Sequence, residues 1–163
     1  MTLRCTVKLL SLLRARVATL PETPAKAEDW YANLLWIDRR KCLLLSHAAT
    51  FFPIFVPEVL KADLVPVGHR ITAIIEDHLL SEQLPADSFG VLDPNDVSLA
   101  KTSDRSTLGV MNQIARDIRY QVASMGGLER TEPAYVNHFI RRTLHGTNRE
   151  YMTPLERAGR WRG

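Results

Sequence analysis

A polar segment between two regular elements carries the residues best suited to chemistry in this chain. Residues 101–106 read Lys-Thr-Ser-Asp-Arg-Ser and join a short apolar run, 97–100, to an amphipathic helical pattern. The first N–H groups of a helix have no partner inside the helix, so they favour an anion. Lysine, arginine and hydroxyl side chains add charge and hydrogen bonds. The segment therefore predicts a site for an anionic or polar ligand, although no reaction follows from it.

The residues around this segment extend the predicted site. Asp104 or Ser103 is placed to cap the helix, and the planar fork of Arg105 suits a phosphate or a carboxylate. Gly109 costs about 1 kcal/mol relative to alanine inside a helix, which indicates close approach of a backbone or a ligand. The predicted ligand-binding residues are Lys101, Thr102, Ser103, Arg105, Ser106, Asn112 and Asn33.

A structural interpretation of the same residues stays open. Arg105 can pair with a carboxylate such as Asp29 or Asp38, and Gly109 can let its helix lie on a tryptophan of the preceding hairpin. Asn33 interrupts an apolar run, and a buried asparagine is usually hydrogen-bonded by the core around it. The lysine of the loop follows no glycine-rich run, which excludes a P-loop.

Charge is distributed unevenly along the chain. The net charge is +3, but residues 51–98 carry two basic and eight acidic residues, while both flanking segments are basic. If the two ends fold together, one face is positive and suits nucleic acid, a nucleotide or an acidic protein. The predicted partner surface comprises Arg39, Arg40, Arg141 and Arg142. An ordinary mixed surface is the alternative, because no run of Lys and Arg exceeds three residues.

Several classes of protein lack support in the sequence. Cys5 and Cys42 lie in strand-like runs that could meet across a sheet, and we expect both to be reduced, since no metal-binding spacing accompanies them. We expect no metal and no cofactor, and no motif of a nucleophilic enzyme occurs. No apolar run approaches the roughly 18 residues of a membrane span. The basic N-terminus lacks a cleavage pattern, so we expect a cytoplasmic protein without a membrane partner.

The pattern of apolar residues predicts the α+β class. Two apolar runs around a polar turn at 38–41 indicate a β-hairpin, and helical periodicity covers 60–83, the segment after 104 and the segment after Thr131. We expect one antiparallel or mixed sheet of about five strands packed by three helices, in a single domain of residues 1–163 with 155–163 as a basic tail. The apolar runs are 3–7, 30–37, 42–47, 51–56, 89–92 and 97–100.

Four segments resemble a bacterial family of single-domain proteins defined only as a domain of unknown function. They are MTLRCTVKLL, WYANLLWIDRRKCLLL, FVPEVLKADL and AKTSDRSTLGVMNQ, and the resemblance extends from residue 2 to about residue 155. It implies a complete single-domain bacterial protein and implies no activity. In the loop, the similar positions are Lys101, Thr102, Arg105, Ser106, Leu108, Gly109, Met111 and Asn112. In the hairpin they are Trp30, Ala32, Asn33, Leu34, Leu35, Arg39 and Arg40.

Three functions remain open at this point. The first is a non-catalytic binding or regulatory module for a phosphate-bearing ligand, nucleic acid or an acidic protein, and small proteins of this kind are associated with mobile elements and defence or counter-defence systems. The second is a nuclease or nucleotide-handling hydrolase that holds phosphate at residues 101–112. The third is a subunit that binds another protein through an exposed apolar strand or the tail.

Overall fold

The fold is built on a mixed five-stranded sheet. In the computed structural model, which describes residues 1–145 and 151–162, the strands follow the order β4-β3-β2-β1-β5. β1 is parallel to both of its neighbours, while β2, β3 and β4 form an antiparallel meander. The predicted sheet is confirmed, except that 89–92 forms no strand. The strands are β1 (Thr2–Cys5), β2 (Trp30–Ile37), β3 (Arg40–His47), β4 (Pro53–Val56) and β5 (Ser98–Lys101).

Five α-helices accompany the sheet in the described part of the chain, which confirms the α+β class. The count exceeds the predicted three because two short helices, at the two ends of the chain, add to it. None of the helices in residues 1–145 and 151–162 has the length and apolarity needed to cross a membrane. The helices are α1 (Val7–Leu13), α2 (Val67–Ser81), α3 (Arg105–Ser124), α4 (Pro133–Arg142) and α5 (Pro154–Arg160).

The segment expected as a basic tail is largely helical. α5 begins with a capping box, in which the Thr153 hydroxyl and the Glu156 carboxylate each accept a backbone N–H of the other residue. Ala158 is buried in the core, and Trp161 packs against it. Gly163, the last residue of the predicted tail, lies outside the described residues.

The two faces of the sheet pack into two separate cores. Alternation along β2 sends Trp30, Ala32 and Leu34 to one face and Tyr31 and Leu35 to the other. The first face is covered by α1, α2 and α5, and the second by α3 and α4. Most residues of β2 and β3 are therefore buried, which explains why these strands are apolar along their length rather than alternating.

The two cysteines lie in different cores. Cys5 belongs to the first core and Cys42 to the second, so the expectation that they could meet across the sheet is wrong. Both thiols are free. Burial raises the pKa of Cys5 to about 12 and, with a smaller effect of Asp38, that of Cys42 to about 11. Both thiols are protonated at neutral pH, which disfavours nucleophilic chemistry.

The helix boundaries follow local chemistry. α2 starts at Val67, because Pro66 has no N–H to continue the separate 3₁₀ turn at Lys61–Leu64. Of the apolar stripe predicted for α3, the structure buries Met111, Ala115, Ile118 and Val122, whereas Leu108 is half-buried. α4 begins at Pro133, and its N-cap residue is Glu132 rather than the predicted Thr131; Leu144, beyond its end, is 47% exposed.

Candidate ligand cleft and basic helix face

The predicted loop lies at the carboxyl end of β5, beside the end of β1, and the helices that follow these two strands pack on opposite faces of the sheet. β1 and β5 are adjacent and parallel, and their last residues, Cys5 and Lys101, are register partners. The helix after β1 packs on the first face and the helix after β5 packs on the second. In open sheets such a divergence opens a crevice outside the carboxyl ends of the two strands, where ligands commonly bind.

A cleft of about 390 Å³ lies beside this loop. One wall is the predicted segment Lys101, Thr102 and Ser103, and the other is the loop of residues 21–24. The structure thus brings together three of the seven predicted ligand residues. Arg105, Ser106, Asn112 and Asn33 do not line this cleft.

Arg4, which the sequence interpretation missed, forms the base of the cleft. Its side chain is 1% exposed, and its Nε donates to the Asp29 carboxylate at 2.5 Å. Its two terminal nitrogens donate to Ser103 Oγ at 3.3 Å, to Thr23 Oγ1 at 3.4 Å and to the Pro24 carbonyl at 2.5 Å. One guanidinium therefore ties both walls of the cleft to the sheet. A charged residue between Leu3 and Cys5 in an apolar strand is a signal that could have identified it.

The start of α3 is closed by its own carboxylate. Asp104 accepts the N–H groups of Ser106 at 2.9 Å and Thr107 at 3.1 Å, and it also accepts the Thr107 hydroxyl. The Thr107 hydroxyl bond and then the two N–H bonds hold the pKa of Asp104 below its usual value, although burial opposes them. The predicted cap is present, so these N–H groups are occupied, and the idea that they hold an external anion is wrong.

Asn33 is held by its neighbours. Its side chain is half-buried, and its Oδ1 accepts the hydroxyl of Thr6, the residue that follows β1, at 3.1 Å. This hydrogen bond matches the structural interpretation of Asn33, in which a polar group inside the sheet is satisfied locally.

The carboxylates that could have neutralised Arg105 are engaged by other groups. Asp29 is paired with Arg4, and Asp38 accepts the backbone N–H of Leu128 at 2.7 Å. Arg105 is exposed and belongs to none of the ion pairs among the described residues. Gly109 is also exposed, and a Cβ placed there would meet nothing within 4 Å, so the helix does not lie on a tryptophan at this point.

The solvent-facing side of α3 carries positive charge without a carboxylate. The exposed residues of this 20-residue helix include three arginines, and none of the exposed positions is acidic. Asp117, 33% exposed, lies at the margin, and its Oδ2 is 3.4 Å from Nδ1 of His145. We call this surface the α3 basic face, and its members are Arg105, Gly109, Asn112, Arg116, Arg119 and Tyr120.

Three members of the α3 basic face were not identified from the sequence. Arg116, Arg119 and Tyr120 lie on the side of the helix opposite the predicted buried stripe, so the same periodicity could have identified them. No ion pair joins Arg116 or Arg119 to another described residue. Tyr120 is 72% exposed.

The predicted partner surface of four arginines does not assemble. Arg39 is exposed in the hairpin turn, whereas Arg40 pairs with Glu58 and Glu129. The other two, Arg141 and Arg142, lie in the last turn of α4 and share one carboxylate, described next.

Arg141 is an interior residue rather than a surface residue. It is 2% exposed, because α4 packs against β4 and turns this position inward. Its Nε donates to the Pro53 carbonyl at 3.1 Å, and its Nη1 lies 3.0 Å from the Glu82 carboxylate. Arg142 contacts the same carboxylate at 2.7 Å. Glu82 therefore compensates charge that the sequence interpretation assigned to a partner.

A comparison with protein families gives a match that covers nearly the whole chain. The family model described as Domain of unknown function (DUF6933) matches residues 2–157. The chain belongs to this family. No curated protein and no solved structure matches the chain. The predicted family membership is confirmed, and the bacterial origin stays a prediction. The cleft and the α3 basic face both lie within the DUF6933 region.

Burial lowers the pKa of three histidines of this DUF6933 domain. Burial lowers the pKa of His47 to about 3, and burial with the adjacent Arg141 charge lowers that of His78 to about 4. Among residues 1–145 and 151–162, no group of three or more His, Cys, Asp or Glu is arranged to hold a metal ion. His47 and His78 therefore accept protons poorly near neutral pH.

Proposed function

We propose that the chain is a non-catalytic module that binds single-stranded nucleic acid through the α3 basic face. The observation that carries this proposal is the placement of uncompensated charge. Arg105, Arg116 and Arg119 share one face of one helix and have no ion-pair partner among the described residues. In contrast, Arg40 and Arg141 are compensated by glutamates.

The spacing of these arginines suits a polyanion. At a rise of about 1.5 Å per residue, Arg116 lies roughly 16 Å and Arg119 roughly 21 Å along the helix from Arg105. That length spans several phosphates of an extended strand, so each guanidinium can meet a different phosphate. A single small anion could engage only one of them. Arginine also offers the planar donor fork that matches phosphate oxygens.

Tyr120 favours a single strand over a duplex. It is 72% exposed on the same face as the arginines, where its ring is free to stack on a base. Base–aromatic stacking contributes about 1–3 kcal/mol per base and tolerates any sequence, but it needs an unpaired base. Asn112, also exposed on this face, adds hydrogen-bonding groups.

Gly109 supports contact at the middle of the face. Glycine in an exposed helix is less favourable than alanine by about 1 kcal/mol, and no part of the described chain approaches the position where its Cβ would stand. The packing of the free protein therefore gives no reason for this glycine. A partner backbone lying against the helix at this point would supply one.

The experiment is a salt titration of binding. A fluorescein-labelled single-stranded 20-mer of mixed sequence is followed by fluorescence anisotropy, with the matching duplex as a second probe. Three phosphate contacts predict a slope of log affinity against log salt of about −2 for the single strand. Salt-independent binding, or binding to the duplex alone, would contradict the proposal. If neither probe binds and a stable complex with an acidic protein forms instead, the protein-interaction function replaces it.

A further inference from the structure

The cleft between residues 21–24 and 101–103 has a charge pattern of its own. Lys101 and Glu22 line its two opposite walls. Both side chains are exposed, and they do not form an ion pair with each other. Opposite charges therefore face one open volume of about 390 Å³ while remaining separate.

The base of the cleft is electrically neutral but retains a hydrogen-bond donor. Arg4 is compensated by Asp29. Of the five guanidinium hydrogens, one goes to Asp29, one to Ser103, one to Thr23 and one to Pro24. One Nη1 hydrogen has no partner among the described residues.

Beside this base lies an unsatisfied hydroxyl. Tyr31 is the register partner of Arg4 across β1 and β2, and it is 0% exposed. Its hydroxyl stands close enough to Ser103 and Asp104 to be influenced by both, yet it makes no well-formed hydrogen bond within the described chain. Tyr31 itself does not line the cleft, so its hydroxyl influences the cleft only through Ser103, which does.

We infer that this cleft binds a small zwitterion of the free amino acid class. The ligand carboxylate meets Lys101, the Ser103 hydroxyl and the remaining Arg4 donor, and the ligand ammonium meets Glu22. A simple anion would be repelled by Glu22, and a simple cation by Lys101, so only a molecule with both charges satisfies both walls. The proposal is independent of nucleic-acid binding, because the arginines of the α3 basic face do not line the cleft.

The test is a titration of the ¹⁵N-labelled protein with L-alanine, followed by NMR at constant ionic strength. L-alanine is expected to shift the backbone amides of Thr102, Ser103 and Thr23 with an affinity in the millimolar range. Acetate and methylammonium serve as single-charge probes and are expected to bind more weakly. Equal binding of acetate and L-alanine, or no shift of these amides, would overturn the inference.

Charge-altering variants provide the second readout, and we expect them to fold normally because both positions are exposed. Lys101→Gln and Glu22→Gln are each expected to weaken L-alanine binding about three- to fivefold, in keeping with partly exposed ion pairs. The exchange variant K101E/E22K restores a complementary pair and is expected to recover part of the binding lost in either single charge reversal, because Ser103 stays on its original wall. Lys61→Gln, at a half-exposed residue outside the cleft, is the matched control. Unchanged affinity in both single variants would overturn the inference.

Discussion

Arg4 and Asp29 form an ion pair in which both side chains are 1% exposed and Nε lies 2.5 Å from the carboxylate. The pair joins β1 to the residue before β2. Asp29 also accepts the backbone N–H of Lys26 at 2.9 Å, so the same carboxylate orders the end of the loop that forms one wall of the cleft.

Neutralising one member of this pair is predicted to be costly. Asp29→Asn leaves the Arg4 charge buried without compensation and is expected to destabilise the fold by about 3–5 kcal/mol. The double variant Arg4→Met/Asp29→Asn removes both charges and is expected to recover part of that loss. Urea denaturation of the wild type, Asp29→Asn, Arg4→Met and the double variant gives the coupling free energy between Arg4 and Asp29. A cost below about 1 kcal/mol for Asp29→Asn would show that the pair is not closely coupled in solution.

Acid is predicted to destabilise the fold through buried histidines. The pKa values of His47, His78 and His145 are all lowered, chiefly by burial, to about 3 and about 4 for the first two. The unfolded chain therefore binds more protons than the folded chain below the ordinary histidine pKa of about 6.5. Stability is complete above that pH and is lost as the pH falls toward 4. His47 and His78 each contribute a slope of up to about 1.4 kcal/mol per pH unit within this window, and His145 contributes in the same direction.

The histidine contribution can be isolated with one variant. His78→Gln keeps a side-chain acceptor for Arg141, whose Nη2 lies 2.8 Å from Nδ1 of His78, and removes one titrating group. The free energy of unfolding is measured by urea denaturation between pH 7 and 4. In the variant its slope against pH is expected to be smaller by about 1.4 kcal/mol per pH unit, which corresponds to one proton. An unchanged slope would indicate that His78 titrates normally in the folded state. His69→Gln, at an exposed histidine on the same helix, is the control.

Gly109 gives a prediction with opposite signs for stability and binding. The position is exposed, its surroundings are open and its backbone is helical, so Gly109→Ala is expected to stabilise the fold by about 0.5–1 kcal/mol. If the nucleic acid lies against the helix here, the added methyl group weakens binding. Thermal unfolding and anisotropy measure the two effects. A variant that is more stable and binds equally well would remove Gly109 from the contact. Gly159→Ala, also in an open helical position, is the control for the stability gain.

The elements of the fold were predictable where the apolar pattern is strong. The hairpin of β2 and β3 follows from two apolar runs around a polar turn, which in the structure narrows to Asp38 and Arg39, both in the left-handed region at φ 48° and 63°. The long helix α3 follows from its buried stripe and its Asp104 cap. The order of strands in the sheet does not follow, because the pairing of β1 with β5 joins residues far apart in the chain.

The sites were less predictable because the ion pairs that neutralise charged side chains join residues far apart in the chain. Nothing near Arg141 in the chain identifies Glu82 as its partner, since 59 residues separate them. The pairing of Arg40 with Glu129 depends in the same way on the docking of distant segments. Arg105 is the converse case: the two carboxylates suggested as its partners from the sequence, Asp29 and Asp38, are engaged elsewhere. Local patterns identify which residues carry charge, while the tertiary structure decides which charges remain uncompensated.

The central claim is tested most directly by two charge-matched triple variants. Arg105→Ala/Arg116→Ala/Arg119→Ala removes three charges from the α3 basic face, and Lys8→Ala/Arg16→Ala/Arg70→Ala removes three exposed charges from residues outside it. The account predicts that the first variant loses about two units of salt slope for the single-stranded 20-mer, while the second retains the wild-type slope within about half a unit. Equal losses in the two variants would show that net charge alone attracts the nucleic acid and would contradict a binding face on α3.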